Sequence, residues 1–453
     1  MIEIWAEQAL LPTGWAERVK IRIADGKIAE VASNTEATGQ RVGILLPAPV
    51  NLHSHVFQRA MAGLTEARGP GGRDSFWTWR NWMYRFVDHL TPDEVQKIAA
   101  FVQMEMLEAG YGAVAEFHYL HHGPDGISYE NRAEMSARIA AAAADTGIGL
   151  TLLPVLYTQG GCDGRHLEGG QCRFGNDLDG FATLMSSAEA AIASLPPDTA
   201  IGVAPHSLRA VSPSELDKAV AIAGSRPIHI HIAEQTAEVA EVEAAYGARP
   251  VAWLADNQPL SDQWCLIHAT HMTDAETTTV ANSGATAGLC PITESNLGDG
   301  VFNGTAYSDA SGSFGVGTDS NVQVSLTGEL RQLEYSQRLT HRSRAALADT
   351  TQSTGRALFH GAVNGGAVAA QRGPSGLVKG AWADLVALDS AQPDFIGRRG
   401  DAVLDSWIFA RAADAVTDVW SAGRHVVEGG RHRDHDRISG SYKDCLTDLL
   451  ARI

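Results

Sequence analysis

Four short apolar runs, far apart in the chain, each end in side chains of the metal-binding type. They are Asn51-Leu-His53-Ser-His55, Ile228-His229-Ile-His231-Ile-Ala-Glu234, Cys265-Leu-Ile-His268 and Gly315-Val-Gly-Thr318-Asp319. Each run has the length and apolar content of a buried strand. Parallel strands that deliver these ends to one rim would let His, His, His, His and Asp converge on a divalent metal. A closed barrel of βα units does this, because its functional groups sit at the carboxyl ends of its strands.

The intervening chain fits that architecture. Candidate strands end near Asn51, Phe117, Leu156, Pro205, Ala233, His268, Leu289 and Thr318. Amphipathic or Ala-rich stretches at 92–109, 131–145, 186–193 and 213–223 alternate with them, as parallel βα units require. Residues 48–369 are therefore expected to form a distorted (β/α)8 TIM-like barrel. A doubly wound sheet would need a Gly-rich phosphate turn after its first strand, where this chain has His53-Ser-His55. Residues 1–47 and 370–453 read as a small composite β-sandwich domain formed by both termini, with a C-terminal helical tail. Val19-Lys-Ile-Arg-Ile23 and Lys27-Ile-Ala-Glu-Val31 alternate about a tight Asp25-Gly26 turn, and residues 380–388 and 418–427 have similar strand character. Two long connections, 63–82 and 159–177, are expected on the catalytic rim as covers over substrate. Trp77, Trp79 and Trp82 read as packing beneath such a cover, and His432 and His435 as a solvated loop.

Charge and cysteine usage exclude several classes. A net charge of −18 without a Lys/Arg run argues against nucleic-acid or anionic-membrane partners. No stretch approaches the roughly 20 apolar residues that span a bilayer. The five cysteines are dispersed, odd in number and lack CxxC spacing, which fits reduced thiols in a cytoplasm. Met1-Ile-Glu-Ile-Trp5 has neither the basic nor the apolar region of a signal peptide.

The chemistry follows from spacing. His53 and His55, two apart on a strand, point to one side and can grip one ion together, although a bare HxH is more often two surface histidines. His229 reads as a packed barrel histidine, while His231 with Glu234 pairs a ligand with an acid/base at one strand end. Asp319 can bind metal or accept a proton, and the glycines before it allow close backbone approach. Imidazole and carboxylate donors suit Zn2+, with Fe2+ and Mn2+ as alternatives. Between residues 48 and 369 the only lysines are Lys97 and Lys218, both in expected helices, so one divalent metal ion is favoured over a carbamate-bridged pair.

This arrangement resembles the amidohydrolase superfamily, in its mononuclear deaminase branch, and within that the formimidoylglutamate deiminases. The residues that carry the resemblance are Asn51 to Met61, Phe76-Trp-Thr-Trp-Arg80, Ala115 to His122, Pro205-His206-Ser-Leu-Arg209-Ala-Val211 and Leu289 to Asp299. One departure is Pro47-Ala-Pro49, where many relatives have Pro-Gly. The resemblance implies metal ligation by His53, His55, His231 and Asp319, proton shuttling by Glu234, and a water-orienting role for His268. It also implies that Gln58, Arg80, Tyr119, His206 and Arg209 contact a small-molecule substrate, N-formimino-L-glutamate, and that the enzyme is a homodimer. The reaction implied is hydrolysis to N-formyl-L-glutamate and ammonia in histidine degradation. Arginine forks at Arg80 and Arg209 would suit its two carboxylates. Two other readings stand beside this one: a deaminase of a purine or other heterocycle, and a non-catalytic barrel scaffold.

Overall fold

A computed structural model describes residues 2–68, 76–411 and 415–453. Strands β1 (Ile2–Leu11), β2 (Gly14–Ala24) and β3 (Lys27–Ala32) form an antiparallel meander. Its second turn is Asp25-Gly26, with φ of 51° and 77°, the left-handed conformation a tight turn needs. Strand β4 (Gln40–Pro47) runs parallel to β1, and the chain then enters the barrel as β5 (Val50–Ser54).

The barrel continues through β6 (Ala113–His118), β7 (Gly149–Leu156), β8 (Ala200–Ile201), β9 (Ala204–Pro205), β10 (Ile228–Ile232), β11 (Trp264–His268), β12 (Thr286–Leu289) and β13 (Ser313–Val316). Both β8 and β9 pair with β7, so they share the fourth of eight positions. Two parallel arcs result, β5 to β8 and β10 to β13. Single parallel bridges, Val203 to Ile228 and Ser54 to Asp319, join the arcs and close the cylinder. The second closure lies at the HxH segment itself: His55 N–H donates to Asp319 O (2.9 Å) and Asp319 N–H to His53 O (3.0 Å).

Strands β14 (Leu385–Leu388), β15 (Val416–Ser421), β16 (Arg424–Glu428) and β17 (Arg431–His432) complete the terminal sheet, in the order β17-β16-β15-β14-β4-β1-β2-β3. The sheet curls until β3 meets the stretch leading into β14, through Ile28 N to Ala381 O and Ala383 N to Gly26 O, both 2.9 Å. The two layers enclose Ile4, Val19, Ile21, Leu45, Leu385 and Trp420. The C-terminal helix His435–Leu450 lies against barrel helix Pro92–Glu108, with Tyr442 stacked on Phe101 at 4.0 Å.

Three expectations need correction. Residues 76–82 are not loop but the first half of helix Phe76–His89; residues 69–75 and the side chain of Trp77 lie outside the described residues. Trp82 is not packed beneath a cover: it is exposed, with Arg85 over its ring at 4.3 Å. His432 is buried, its Nε2 bonded to Thr146 O (2.9 Å), and His435 bonds Glu108 (2.7 Å). A string of charged residues conceals a ring that satisfies the last carbonyl of helix Glu134–Thr146.

A buried ion network joins barrel and terminal sheet. Arg372 bonds Asp384 (2.9 Å) and Asp198 (3.1 Å), and Arg424 grips Asp198 at 2.8 and 2.7 Å. Burial alone raises the Asp198 carboxyl, but the Arg424 and Arg372 guanidiniums outweigh it and hold the group below its ordinary value. A depressed folded pKa contributes stability above the unfolded value of about 4, and that contribution is lost as pH falls through the folded value. Arg372→Ala leaves Asp198 to Arg424 and Asp384 to the Ala422 N–H, and is expected to cost about 1.5–3 kcal/mol at pH 7. Urea unfolding should show this deficit shrinking below about pH 4, as Asp198 protonates; a pH-independent deficit would assign the loss to packing.

Candidate metal centre and active site

The network that holds β5 against the end of β13 uses the residues flanking the ligands. Asn51 donates to Thr318 Oγ1 (2.7 Å) and accepts from Thr318 N–H (3.1 Å), and Asn321 donates to Ser54 Oγ (3.1 Å). A Cβ on Gly317 would lie 2.6 Å from His53 N and O, so only glycine permits this approach. Asp319 itself has φ of 46°. The same region of φ recurs at Ala233 (51°) and His268 (68°), so three strand ends turn sharply at the site.

The side chains converge as the strand ends imply. His53 Nε2 and His55 Nε2 lie 3.5 and 3.3 Å from Asp319 Oδ1, and His231 Nε2 is 3.1 Å from His53 Nε2. His55 Nδ1–H donates to Phe117 O (2.9 Å) and His231 Nδ1–H to His206 O (3.1 Å). These bonds select the tautomer whose Nε2 lone pair faces the cluster. Burial lowers the pKa of all three rings, that of His53 to about 3, so they are neutral. Burial alone raises the Asp319 carboxyl, but His53, His55 and His268 hold it far below its ordinary value, so it is ionised. Imidazole nitrogens 3.1 Å apart, beside a carboxylate, form a donor set suited to a divalent cation.

His268 and Glu234 flank this set. His268 Nε2 is 3.8 Å from both Glu234 Oε1 and Asp319 Oδ2. Burial pushes Glu234 up to about 7, with His268 opposing and Asp319 adding to the rise. The backbone N–H groups of Ala233 and Glu234 donate to the Glu238 carboxylate at 3.2 and 3.0 Å, which holds the strand end that carries Glu234.

A cavity open to solvent faces these groups. All five residues expected to contact substrate line it: Gln58, Arg80, Tyr119, His206 and Arg209. Gln58 Nε2 donates to Tyr119 Oη (2.6 Å), and Gln58 Oε1 is buried without a hydrogen-bond partner. Arg80 comes from helix Phe76–His89 and lies over the Tyr84 ring at 5.3 Å. His55, His231, Glu234, His268 and Asp319 line the same cavity, whereas His53 sits behind them. Trp79 also lines it, alongside Tyr157 and Phe174, and packs against the barrel core. His229 lies apart, bonded to Ala369 O (2.8 Å) as a packed barrel histidine. His121 and His122 bond backbone carbonyls, and His118 is buried beside His121.

Residues 44–426 match the amidohydrolase family. The chain belongs to that family. Residues 1–41 match the N-terminal domain of the formimidoylglutamate deiminase HutF. This amidohydrolase is 46% identical to a formimidoylglutamate deiminase of Pseudomonas aeruginosa, over 99% of this chain and 100% of the other. It is 23% identical to a 5-methylthioadenosine/S-adenosylhomocysteine deaminase of Bacillus cereus, over 92% and 90% of the two chains. Among solved structures, an amidohydrolase from Brucella melitensis is similar, with a TM-score of 0.96 and 50% identity over 99% of this chain and 100% of that one. An atrazine chlorohydrolase from Arthrobacter aurescens complexed with zinc shares the fold at 22% identity, with a TM-score of 0.84 over 98% and 100% of the chains.

Sequence reasoning missed Glu238 and Glu294, both buried carboxylates beside the site. Glu238 had one available signal, its place one helical turn after Glu234. Glu294 lies in the resembling run Leu289 to Asp299, but spacing alone assigns it nothing.

Proposed function

We infer that this amidohydrolase deiminates N-formimino-L-glutamate, giving N-formyl-L-glutamate and ammonia in histidine degradation. One observation carries the geometric side of the reading: a single cavity is lined by an imidazole–carboxylate cluster and by two arginines in a chain of net charge −18. The full-length relative with this activity supports the same substrate.

His53, His55, His231 and Asp319 would hold one divalent ion; the donor set, and the zinc bound by a fold neighbour, favour Zn2+. Such an ion supplies a nucleophile at neutral pH by lowering the pKa of water to about 7. Asp319, with His268 alongside, accepts a proton from the attacking water. Glu234 returns a proton to the departing nitrogen, so that the C–N bond breaks as ammonia leaves and the formyl group remains on glutamate. Arg80 and Arg209 fork the substrate carboxylates, and Gln58, Tyr119 and His206 fix the chain between them and the reacting carbon. This orientation makes attack effectively intramolecular. A homodimer and a cytoplasmic location belong to the same reading, supported by the family resemblance and by five free cysteines.

Ammonia release assayed on N-formimino-L-glutamate, N-formimino-L-aspartate, guanine and cytosine tests the reading. The formimino dicarboxylates should react and the heterocycles should not; preferential turnover of guanine or cytosine would overturn it. Removing metal with a chelator should abolish activity and Zn2+ should restore it. Full activity in metal-free protein would refute the metal centre.

A further inference from the structure

We propose that Glu294 is a positioning residue that fixes the His268 ring so that Nε2 faces Glu234 and Asp319. The inference rests on the proposed function and deepens it. Glu294 sits on the short helix Pro291–Leu297 that follows β12, with 5% of its surface exposed. Its Oε1 accepts from Cys290 N–H (2.9 Å) and lies 3.3 Å from His268 Nδ1. The His268 ring is therefore held between two acids on opposite edges, Glu294 at Nδ1 and Glu234 at Nε2.

This contact decides between two ring orientations. Rotating the imidazole by 180° about χ2 would turn a C–H toward the Glu294 carboxylate and leave its buried Oε1 with Cys290 N–H alone, losing one of its two hydrogen bonds. The same rotation would carry Nε2 away from Glu234 and Asp319. The carboxylate thus selects the ring pose in which Nδ1–H donates backward and Nε2 faces the reaction. The backbone around it is equally constrained. His268 and Ala269 have φ of 68° and 47°, held by Ala269 N–H donating to Ile232 O (3.0 Å). Glu294 is anchored in turn, because Asp299 N–H donates to its carbonyl (2.9 Å) and Gly298 closes its helix at φ 70°.

Glu294→Leu removes the acceptor, whereas Glu294→Gln keeps an Oε1 that can accept from both N–H groups. For the zinc-loaded enzyme acting on N-formimino-L-glutamate, Glu294→Leu should lower kcat about 10- to 100-fold, with KM and metal content little changed. Glu294→Gln should retain more kcat than Glu294→Leu. The decisive measurement is a double-mutant cycle: in a His268→Ala background, neither substitution at 294 should lower kcat further. A downfield imidazole N–H proton resonance, assigned by its loss in His268→Ala, should also vanish in Glu294→Leu. A kcat loss that persists in the His268→Ala background, or an equal loss of metal, would overturn the proposal. If Glu294→Leu does not fold, the Glu294→Gln cycle decides by the same criterion. Wild-type protein inert toward N-formimino-L-glutamate would instead refute the proposed function, and the resonance would still report on the Glu294–His268 contact.

Discussion

Glu234→Gln is expected to lower kcat by roughly 10²–10⁴-fold, the usual contribution of a positioned acid/base group, while the bound metal stays at wild-type stoichiometry. Glutamine matches the shape of the side chain but cannot exchange a proton. Its place is secured independently, because Glu238 holds the backbone N–H groups of residues 233 and 234. The donor atoms of His53, His55 and His231 lie close together, as do those of His53, His268 and Asp319, and Glu234 belongs to neither group, standing next to His268. Burial raises its pKa to about 7, so the carboxyl exchanges protons near neutrality without a large free-energy gap. Elemental analysis beside steady-state kinetics checks the prediction. If metal leaves together with activity, Glu234 is a ligand; if activity persists, the shuttle lies elsewhere.

The convergence of the four imidazoles and Asp319 is legible in the sequence because strand geometry is simple. A period of two places His53 and His55 on one side, and a closed barrel gathers the ends of β5, β10, β11 and β13 at one rim. Glycines at 315 and 317 betray the close approach that the structure contains. Residues whose role depends on tertiary hydrogen bonds leave no such trace. Glu294 reaches a histidine on β11 from the helix after β12, and no periodicity links positions 268 and 294. His432 fails for the converse reason: its charged neighbours suggest solvent, whereas an unpaired carbonyl at Thr146, 286 positions away, draws the ring inside. The helix Phe76–His89 is hidden by the glycines at 69, 71 and 72 before it, which make the whole stretch resemble loop. Local pattern therefore recovers the architecture and the first ring of chemistry, and misses the groups that hold that ring in place.

Arg209→Ala should reduce kcat/KM for N-formimino-L-glutamate by roughly 10²–10³-fold, about 3–4 kcal/mol, the worth of two charge-assisted hydrogen bonds to a carboxylate. Arg209 follows β9 on a turn fixed by Thr158 N–H donating to Ala210 O (2.8 Å), so its position does not depend on substrate. Its side chain is half-buried and lines the cavity, and its buried Nε has no hydrogen-bond partner. Burial opposes the charge, but Glu238, Tyr157, Glu234 and Glu241 favour it without occupying that nitrogen. A half-buried cation with an unused buried donor in an acidic protein is suited to an anionic group that arrives with the substrate. Arg209→Lys should recover only part of the loss, since an ammonium cannot present the planar fork. Metal content should remain unchanged in both variants. An N-alkylformamidine lacking carboxylates should be turned over equally poorly by wild type and Arg209→Ala, because the missing contact is then absent from both. If Arg209→Ala impairs that substrate as severely as the dicarboxylate, Arg209 supports the fold of the site and does not recognise the carboxylate.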